Sequence, residues 1–230
     1  MIHFNRVTKA YRDTPAVHDV SFSVDKGEFL ILAGPSGSGK TTLLKLLIGH
    51  EQPSQGEVSY HSLPIHKMSS KQLQAFRQSL GVAFQDFRLI PNKTAYENIA
   101  YVIEHTADHG AVKPDVTYVL NLVGLGDKLT RFPHELSGGE RQRLALARAI
   151  VHQPAVILAD EPTANLDHEN TMLIVEILKR LNELGATIIL ATHNMQVIES
   201  LGKRTLVLEN GTLASDGHGH KPKAIKKAVS

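Results

Sequence analysis

Cysteine is absent from the 230 residues. Disulfides and thiolate-held metals are therefore excluded, and a reducing, cytosolic setting agrees with the absence without being required by it. No stretch approaches the roughly 18 consecutive apolar residues that mark a membrane-spanning helix. The opening Met1-Ile2-His3-Phe4-Asn5-Arg6 lacks the apolar centre of a secretion signal. A strong net charge is missing too. The formal charge is +2, but four of the 25 basic side chains, Lys221, Lys223, Lys226 and Lys227, fall in the last fourteen residues, which hold no acid. The preceding body has 21 basic against 23 acidic groups. By charge it is not a nucleic-acid-binding surface, and no nucleic-acid partner is expected. With 42% hydrophobic residues the chain can build one globular domain with a substantial core and an inserted subdomain.

What is present is a glycine-rich phosphate loop. Gly34-Pro35-Ser36-Gly37-Ser38-Gly39-Lys40-Thr41 fits the pattern G-x-x-x-x-G-K-[ST]. Phe29–Ala33 before it reads as a buried strand, and Thr42–Ile48 after it as a helix. Backbone N–H groups at such a junction point at an anion, and the helix dipole favours negative charge. Lys40 would reach the β- and γ-phosphates of a nucleoside triphosphate, and the Thr41 hydroxyl would ligate Mg²⁺.

The flanking chain sets this loop in an alternating pattern. Ile2, Phe4 and Val7 form one strand-period run; Val20, Phe22 and Val24 form another. Tyr11 falls in the loop-like Lys9-Ala10-Tyr11-Arg12, where an exposed aromatic could stack on a purine or simply close a strand. Ser69-Ser70 could cap a helix through Leu73, Phe76 and Leu80. Residues of about 86–150 read as a helical insert, with a capping-box opening at Thr94-Ala95-Tyr96-Glu97 and an apolar stripe at Val116, Val119, Leu120 and Val123. Strands return at Ala155–Ala159 and Ala186–Ala191, separated by an amphipathic helix over 168–184. Asn210-Gly211 predicts a hairpin, and the chain after 217 reads as a flexible basic tail. Strands alternating with helices predict an α/β domain over residues 1–217 with a mostly parallel core sheet.

Four further groups bear chemistry. Asp160-Glu161 ends an apolar strand. Neighbouring strand residues point to opposite sides, so the pair divides its work: Asp160 suits Mg²⁺, and Glu161 suits polarising the water that attacks a γ-phosphate. Leu136-Ser137-Gly138-Gly139-Glu140 opens a helix with a good N-cap at Ser137 and two glycines that bare its first amides. It is a second phosphate-binding helix start, which a single bound nucleotide does not require in the same copy. Gln85 and His193 each end a strand. Gln85 could sense Mg²⁺ or water, and His193 could hydrogen-bond a γ-phosphate.

In this order, Tyr11, Gly34–Thr41, Gln85, Leu136–Glu140, Asp160-Glu161, Asn165-Leu166-Asp167 and His193 resemble the motif series of the ABC ATPase family over residues 1–217. The resemblance implies a P-loop core sheet, an N-terminal antiparallel β-subdomain and the helical insert. It implies ATP and Mg²⁺ as ligands. Tyr11 would stack on adenine, Gly34 to Thr42 would hold the phosphates, and Thr41, Gln85 and Asp160 would serve the metal. Lys40, Glu161 and His193 would be catalytic. Ser137, Gly138 and Gly139 would contact the γ-phosphate held by another copy, making an ATP-dependent head-to-tail homodimer. Asp167 would belong to the loop through which the copies communicate.

Glu140 stands where many relatives have glutamine, and Ala164-Asn165-Leu166-Asp167 replaces a commoner serine-containing version. Asn165 points to a bacterial subgroup holding the cell-division ATPases together with lipoprotein-releasing and macrolide-export ATPases. The cell-division group resembles the chain most in Met1–Phe4, Lys9–Tyr11, Phe84–Ile90 and Ala191–Asn194. It implies an integral membrane partner, a peripheral position on the cytoplasmic membrane face, and control of peptidoglycan hydrolysis. Phe87, Arg88 and Leu89 would dock that partner; the alternative is that Phe87 and Leu89 are simply core residues. The alternatives are an exporter or lipoprotein-extracting ATPase, an ABC ATPase acting on DNA or ribosomes, and a small-molecule kinase. The second helix start at Ser137 argues against the kinase.

Overall fold

The computed structural model describes residues 1–12, 14–84, 86–105, 115–218 and 223–224. The chain is α/β and divides into two compact units, Met1–Arg77 with Ile189–Ser230, and Gln78–Ile188.

In the first unit β1 (Ile2–Tyr11) and β2 (Thr14–Val24) pair antiparallel. The two apolar runs meet: Ile2 faces Val24, Phe4 faces Phe22 and Val7 faces Val20. All six are buried, and the rings of Phe4 and Phe22 stack with centroids 4.4 Å apart. β3 (Phe29–Ala33) is buried throughout and leads through the phosphate loop into α1 (Lys40–Leu47). β4 (Gln55–Tyr60) and β5 (Leu63–Pro64) complete an antiparallel sheet in the order β2-β1-β4-β5. Tyr11 lies at the paired end of β1, opposite Thr14, and not in a loop. Ladder pairing with β2 carries the strand past the polar Lys9, where residue alternation in the sequence fades.

α2 (Ser70–Gln78) starts at the expected Ser69 cap, with Gln72 closing a reciprocal capping box. The helix stops short of Leu80, which begins β6 (Leu80–Ala83). In the second unit β6 runs parallel to β7 (Val156–Asp160). Between them come α3 (Ala95–His105), α4 (Val116–Leu122) and α5 (Gly138–Ile150). The Thr94–Glu97 box caps α3 at 2.7 and 3.2 Å, and Val116, Val119, Leu120 and Val123 are buried as their spacing predicts. α6 (His168–Glu183) follows, and β8 (Thr187–Thr192) leads back into the first unit.

There α7 (Met195–Leu201) precedes β9 (Arg204–Glu209), parallel to β3, and β10 (Thr212–His218), its hairpin partner. Asn210 and Gly211 both have positive φ, the turn expected of Asn-Gly. Lys223–Ala224 form β11 against Ser215 and Asp216 of β10; Lys221, Lys226 and Lys227 lie outside the described residues.

Arg204 ties this unit together. Its guanidinium donates to Asp216 at 2.8 and 2.6 Å, to Glu28 at 2.9 Å and to the Ser23 carbonyl at 2.9 Å. Replacing Arg204 with Met would leave two carboxylates facing each other without a cation. For a partly exposed network the expected cost is about 2 kcal/mol, or a fall in Tm of roughly 4–8 °C. A melt coinciding with that of the parent would show the network to be neutral.

Candidate functional site

The first unit holds the phosphate loop. Gly34 and Gly39 have φ of 147° and 106°, a region open to glycine at little cost. A Cβ at Gly34 would come within 2.3 Å of the Leu208 carbonyl oxygen, and one at Gly39 within 2.7 Å of that of Ala16. The loop is thus packed between β9 and β2 on its outside, and its inner wall is backbone. α1 begins with no side-chain cap and no acid in its first turn. Lys40 is buried, and its ammonium donates to the Gly34 and Pro35 carbonyls at 2.7 and 3.0 Å, which aims it along the loop. Ser38 Oγ is buried without a hydrogen-bond partner. An orphaned hydroxyl inside a glycine-rich loop at a helix start fits a ligand rich in anionic oxygens. Pro35, Ser36, Gly37 and Thr41 are exposed along the rim, and Thr42 is half-buried.

Two other residues of the series lie in this unit. Tyr11 is 41% exposed; burial raises its phenol above the ordinary value, and the side chains of Thr42 and Glu51 also act on it. The structure thereby brings Tyr11 to the first turn of the phosphate-loop helix. His193 is exposed immediately after β8. Asn194 follows it and caps α7 by accepting from the Gln196 and Val197 amides, while Thr192 Oγ1 accepts from the Asn194 amide at 3.1 Å. A strand end and a capped helix thus hold the histidine from both sides.

The second unit carries the rest. Asp160, the last residue of β7, is buried, and Glu161 is half-buried. Glu161 sits at φ 48°, rare for a residue with a side chain, and Asn165 at φ 61°. Turns closed by Ala164 N–H to Glu161 O and Leu166 N–H to Thr163 O carry the chain to Asp167. Asp167 caps α6 through the Asn170 amide at 2.8 Å, a bond that holds its carboxyl below the usual carboxylate range. The Asn170 side chain also takes a hydrogen bond from Arg143 of α5. α5 is therefore tied to the Asp167 turn through Asn170 and Arg143, two residues the motif series does not mark. A Cβ on Gly139 would stand 2.9 Å from Asn170.

Ser137 caps α5 in a reciprocal box. Its Oγ accepts from the Glu140 amide at 3.2 Å, and Glu140 accepts from the Ser137 amide at 2.7 Å. Glu140 performs the capping role open to glutamine as well, and the Ser137 amide keeps its carboxyl ionised by holding it below the ordinary range. The box uses a lone pair of the Ser137 hydroxyl and leaves its proton to be donated outward. Ser137 is exposed, and a Cβ on Gly138 would meet nothing within 4 Å.

Gln85 lies outside the described residues. Just beyond it, Phe87 and Leu89 are half-buried and Arg88 is exposed, so the three are not core. Phe87 and Arg88 both adopt positive φ, at 54° and 49°. The Arg148 guanidinium donates to their carbonyls at 2.9 and 2.5 Å. Arg148 is a third residue missed by motif reading, because a basic residue near a helix end has many ordinary uses. Among the described residues no helix is long and apolar enough to cross a membrane.

Known proteins agree with this arrangement. The chain is 43% identical over 219 residues to the cell division ATP-binding protein FtsE of Mycobacterium tuberculosis, spanning 94% of this chain and 95% of that protein. It is 42% identical over 224 residues to the methionine import ATP-binding protein MetN 4 of Oceanobacillus iheyensis, spanning 95% of this chain but 65% of that protein. A dimeric ATP-binding cassette, MJ0796, in a post-hydrolysis state bound to ADP and phosphate, superimposes with a TM-score of 0.87 at 32% identity, over 96% of this chain and all of that one. The ABC transporter family profile matches residues 17–164. With that profile over more than half of the chain and a relative 43% identical almost end to end, the chain belongs to the ABC transporter family.

Proposed function

We propose that the chain is the ATP-binding and ATP-hydrolysing subunit of an FtsEX-type membrane complex, driving conformational change in a transmembrane partner that controls peptidoglycan hydrolysis in cell division. The observation that carries the cassette mechanism is the Ser137 helix start: a second anion-seeking terminus, capped, exposed and open at Gly138. In the proposed cycle two copies pair head to tail. ATP lies on Gly34–Thr42 of one copy with its adenine on Tyr11, and Ser137, Gly138 and Gly139 of the other copy close over the γ-phosphate. Thr41, Gln85 and Asp160 would hold Mg²⁺, which when bound neutralises charge on the phosphates. Glu161 accepts a proton from the attacking water, Lys40 stabilises charge on the phosphate oxygens, and His193 orients the γ-phosphate. The division assignment rests on near end-to-end correspondence with FtsE, whereas the import protein is matched over about two thirds of its length. The same correspondence disfavours the exporter reading.

The subunit would sit on the cytoplasmic face of the membrane, bound through a partner resembling FtsX. Phe87, Arg88 and Leu89 are proposed as its docking loop, held in shape by Arg148. Replacing Arg148 with Met is expected to lower recovery of the membrane partner in a pull-down several-fold while ATP binding by the isolated chain stays within about twofold. Full recovery of the partner would remove Arg148 and the loop from the docking role. The pull-down itself, run with the parent chain, tests the assignment: recovery of a solute exporter's membrane domain in place of an FtsX-like protein would overturn it.

A further inference from the structure

Beside the phosphate loop, Lys9 and Glu51, neither of them in the family series, gather at Tyr11. Lys9 Nζ lies 2.8 Å from Glu51 Oε2, donates to the Gln52 carbonyl at 3.0 Å, and stands 5.1 Å from the centroid of the Tyr11 ring. The Lys9 and Glu51 side chains are only 14% and 25% exposed. Glu51 follows the end of α1, so the Lys9 ammonium it holds stands between that helix end and the Tyr11 ring. Burial raises the Tyr11 phenol above its ordinary value. The Lys9 hydrogen bond lowers the Glu51 carboxyl, so it stays an acceptor. An aromatic ring on a strand end has two torsions to lose before it can stack on a base. Here an ammonium, itself held by Glu51 and the Gln52 carbonyl, stands against the ring within cation–π range, so part of that loss is met before a ligand arrives.

We propose that Lys9 and Glu51 are positioning residues for the nucleobase: they latch Tyr11 so that the ammonium covers part of the ring and the exposed remainder is presented to a purine. The inference rests on the proposed stacking of adenine on Tyr11. Glu51 acts through Lys9 and is not among the residues proposed to bind phosphate. The phosphate end and the base end of the site should therefore respond separately.

The test is calorimetric titration of the full chain with the non-hydrolysable ATP analogue AMP-PNP and, separately, with inorganic tripolyphosphate, both with Mg²⁺. Glu51→Ala is expected to weaken AMP-PNP about five- to tenfold, within the range set by stacking of one base, and to leave tripolyphosphate unchanged. Glu51→Gln, which keeps an acceptor, should lose about half of that effect on a logarithmic scale. In a Lys9→Met background, Glu51→Ala should add nothing, because the ammonium that couples it to the ring is gone. Equal weakening of both ligands, or full additivity with Lys9→Met, would overturn the latch. Tyr11→Ala separates the two ideas: if AMP-PNP binds it as tightly as the parent, stacking itself fails and the latch with it. If Tyr11→Ala weakens AMP-PNP and Glu51→Ala does not, the latch alone fails.

Discussion

Replacing Glu161 with glutamine is expected to slow ATP turnover by about 10²–10⁴-fold while ATP stays bound in a stable dimer. The substitution keeps size and hydrogen bonding but removes the group that takes the proton from water. Asp160 and Glu161 follow each other at the end of β7, one buried and the other half-buried. The turn at φ 48° sends the Glu161 side chain away from the strand line that Asp160 continues. A non-glycine residue held there costs about 1–3 kcal/mol, which the neighbouring turns and the packed strand must sustain. In the proposed site phosphate binding falls to Gly34–Thr42 and not to Glu161, so binding and turnover should come apart. Single-turnover hydrolysis and size-exclusion chromatography with ATP measure the two sides. Turnover at the parent rate would remove Glu161 as the base. Slow turnover without a dimer would break the link between ATP occupancy and closure.

Substituting Gly138 with aspartate should be nearly as damaging to activity, through a different route. In the single copy a Cβ at Gly138 meets nothing within 4 Å, so the new side chain has room. It also enters the first turn of α5, where a carboxylate interacts favourably with the helix dipole. The isolated chain should therefore fold normally, with Tm within about 2 °C of the parent. A second copy presenting a γ-phosphate to that turn would meet both bulk and like charge. Turnover should fall by at least about a hundredfold, as for loss of a preorganised donor, with ATP binding to one copy retained. Intact turnover would mean that the Ser137 helix start does not close over a nucleotide. A large fall in Tm would instead place Gly138 in the fold of the single chain. Gly139 is a poorer probe, because its neighbour Asn170 holds the Asp167 turn to Arg143.

The phosphate loop, the strand-end carboxylates and the Ser137 cap were legible because each is a local device. Their residues are adjacent or three apart, and the backbone alone brings them together. The same holds for the Thr94–Glu97 box and the Asn210-Gly211 turn. Tyr11 marks the limit: its sequence neighbourhood reads as a loop, whereas pairing with Thr14 places it at a strand end. Lys9 and Glu51 are 42 residues apart, and Arg148 reaches the carbonyls of Phe87 and Arg88 from about 60 residues away. Arg143 meets Asn170 across 27 residues. Such contacts follow from which helix packs on which turn, and residue types so ordinary give no hint of them.

By itself, then, the sequence determined the family, the α/β alternation and the local devices, loop, caps and turn, that are written in short spacings. Only the tertiary structure decided which unmarked side chains hold those residues in place. Apolar periodicity states that a face is buried, but not what buries it, and a lysine, glutamate or arginine acquires a partner only when separate segments are packed together.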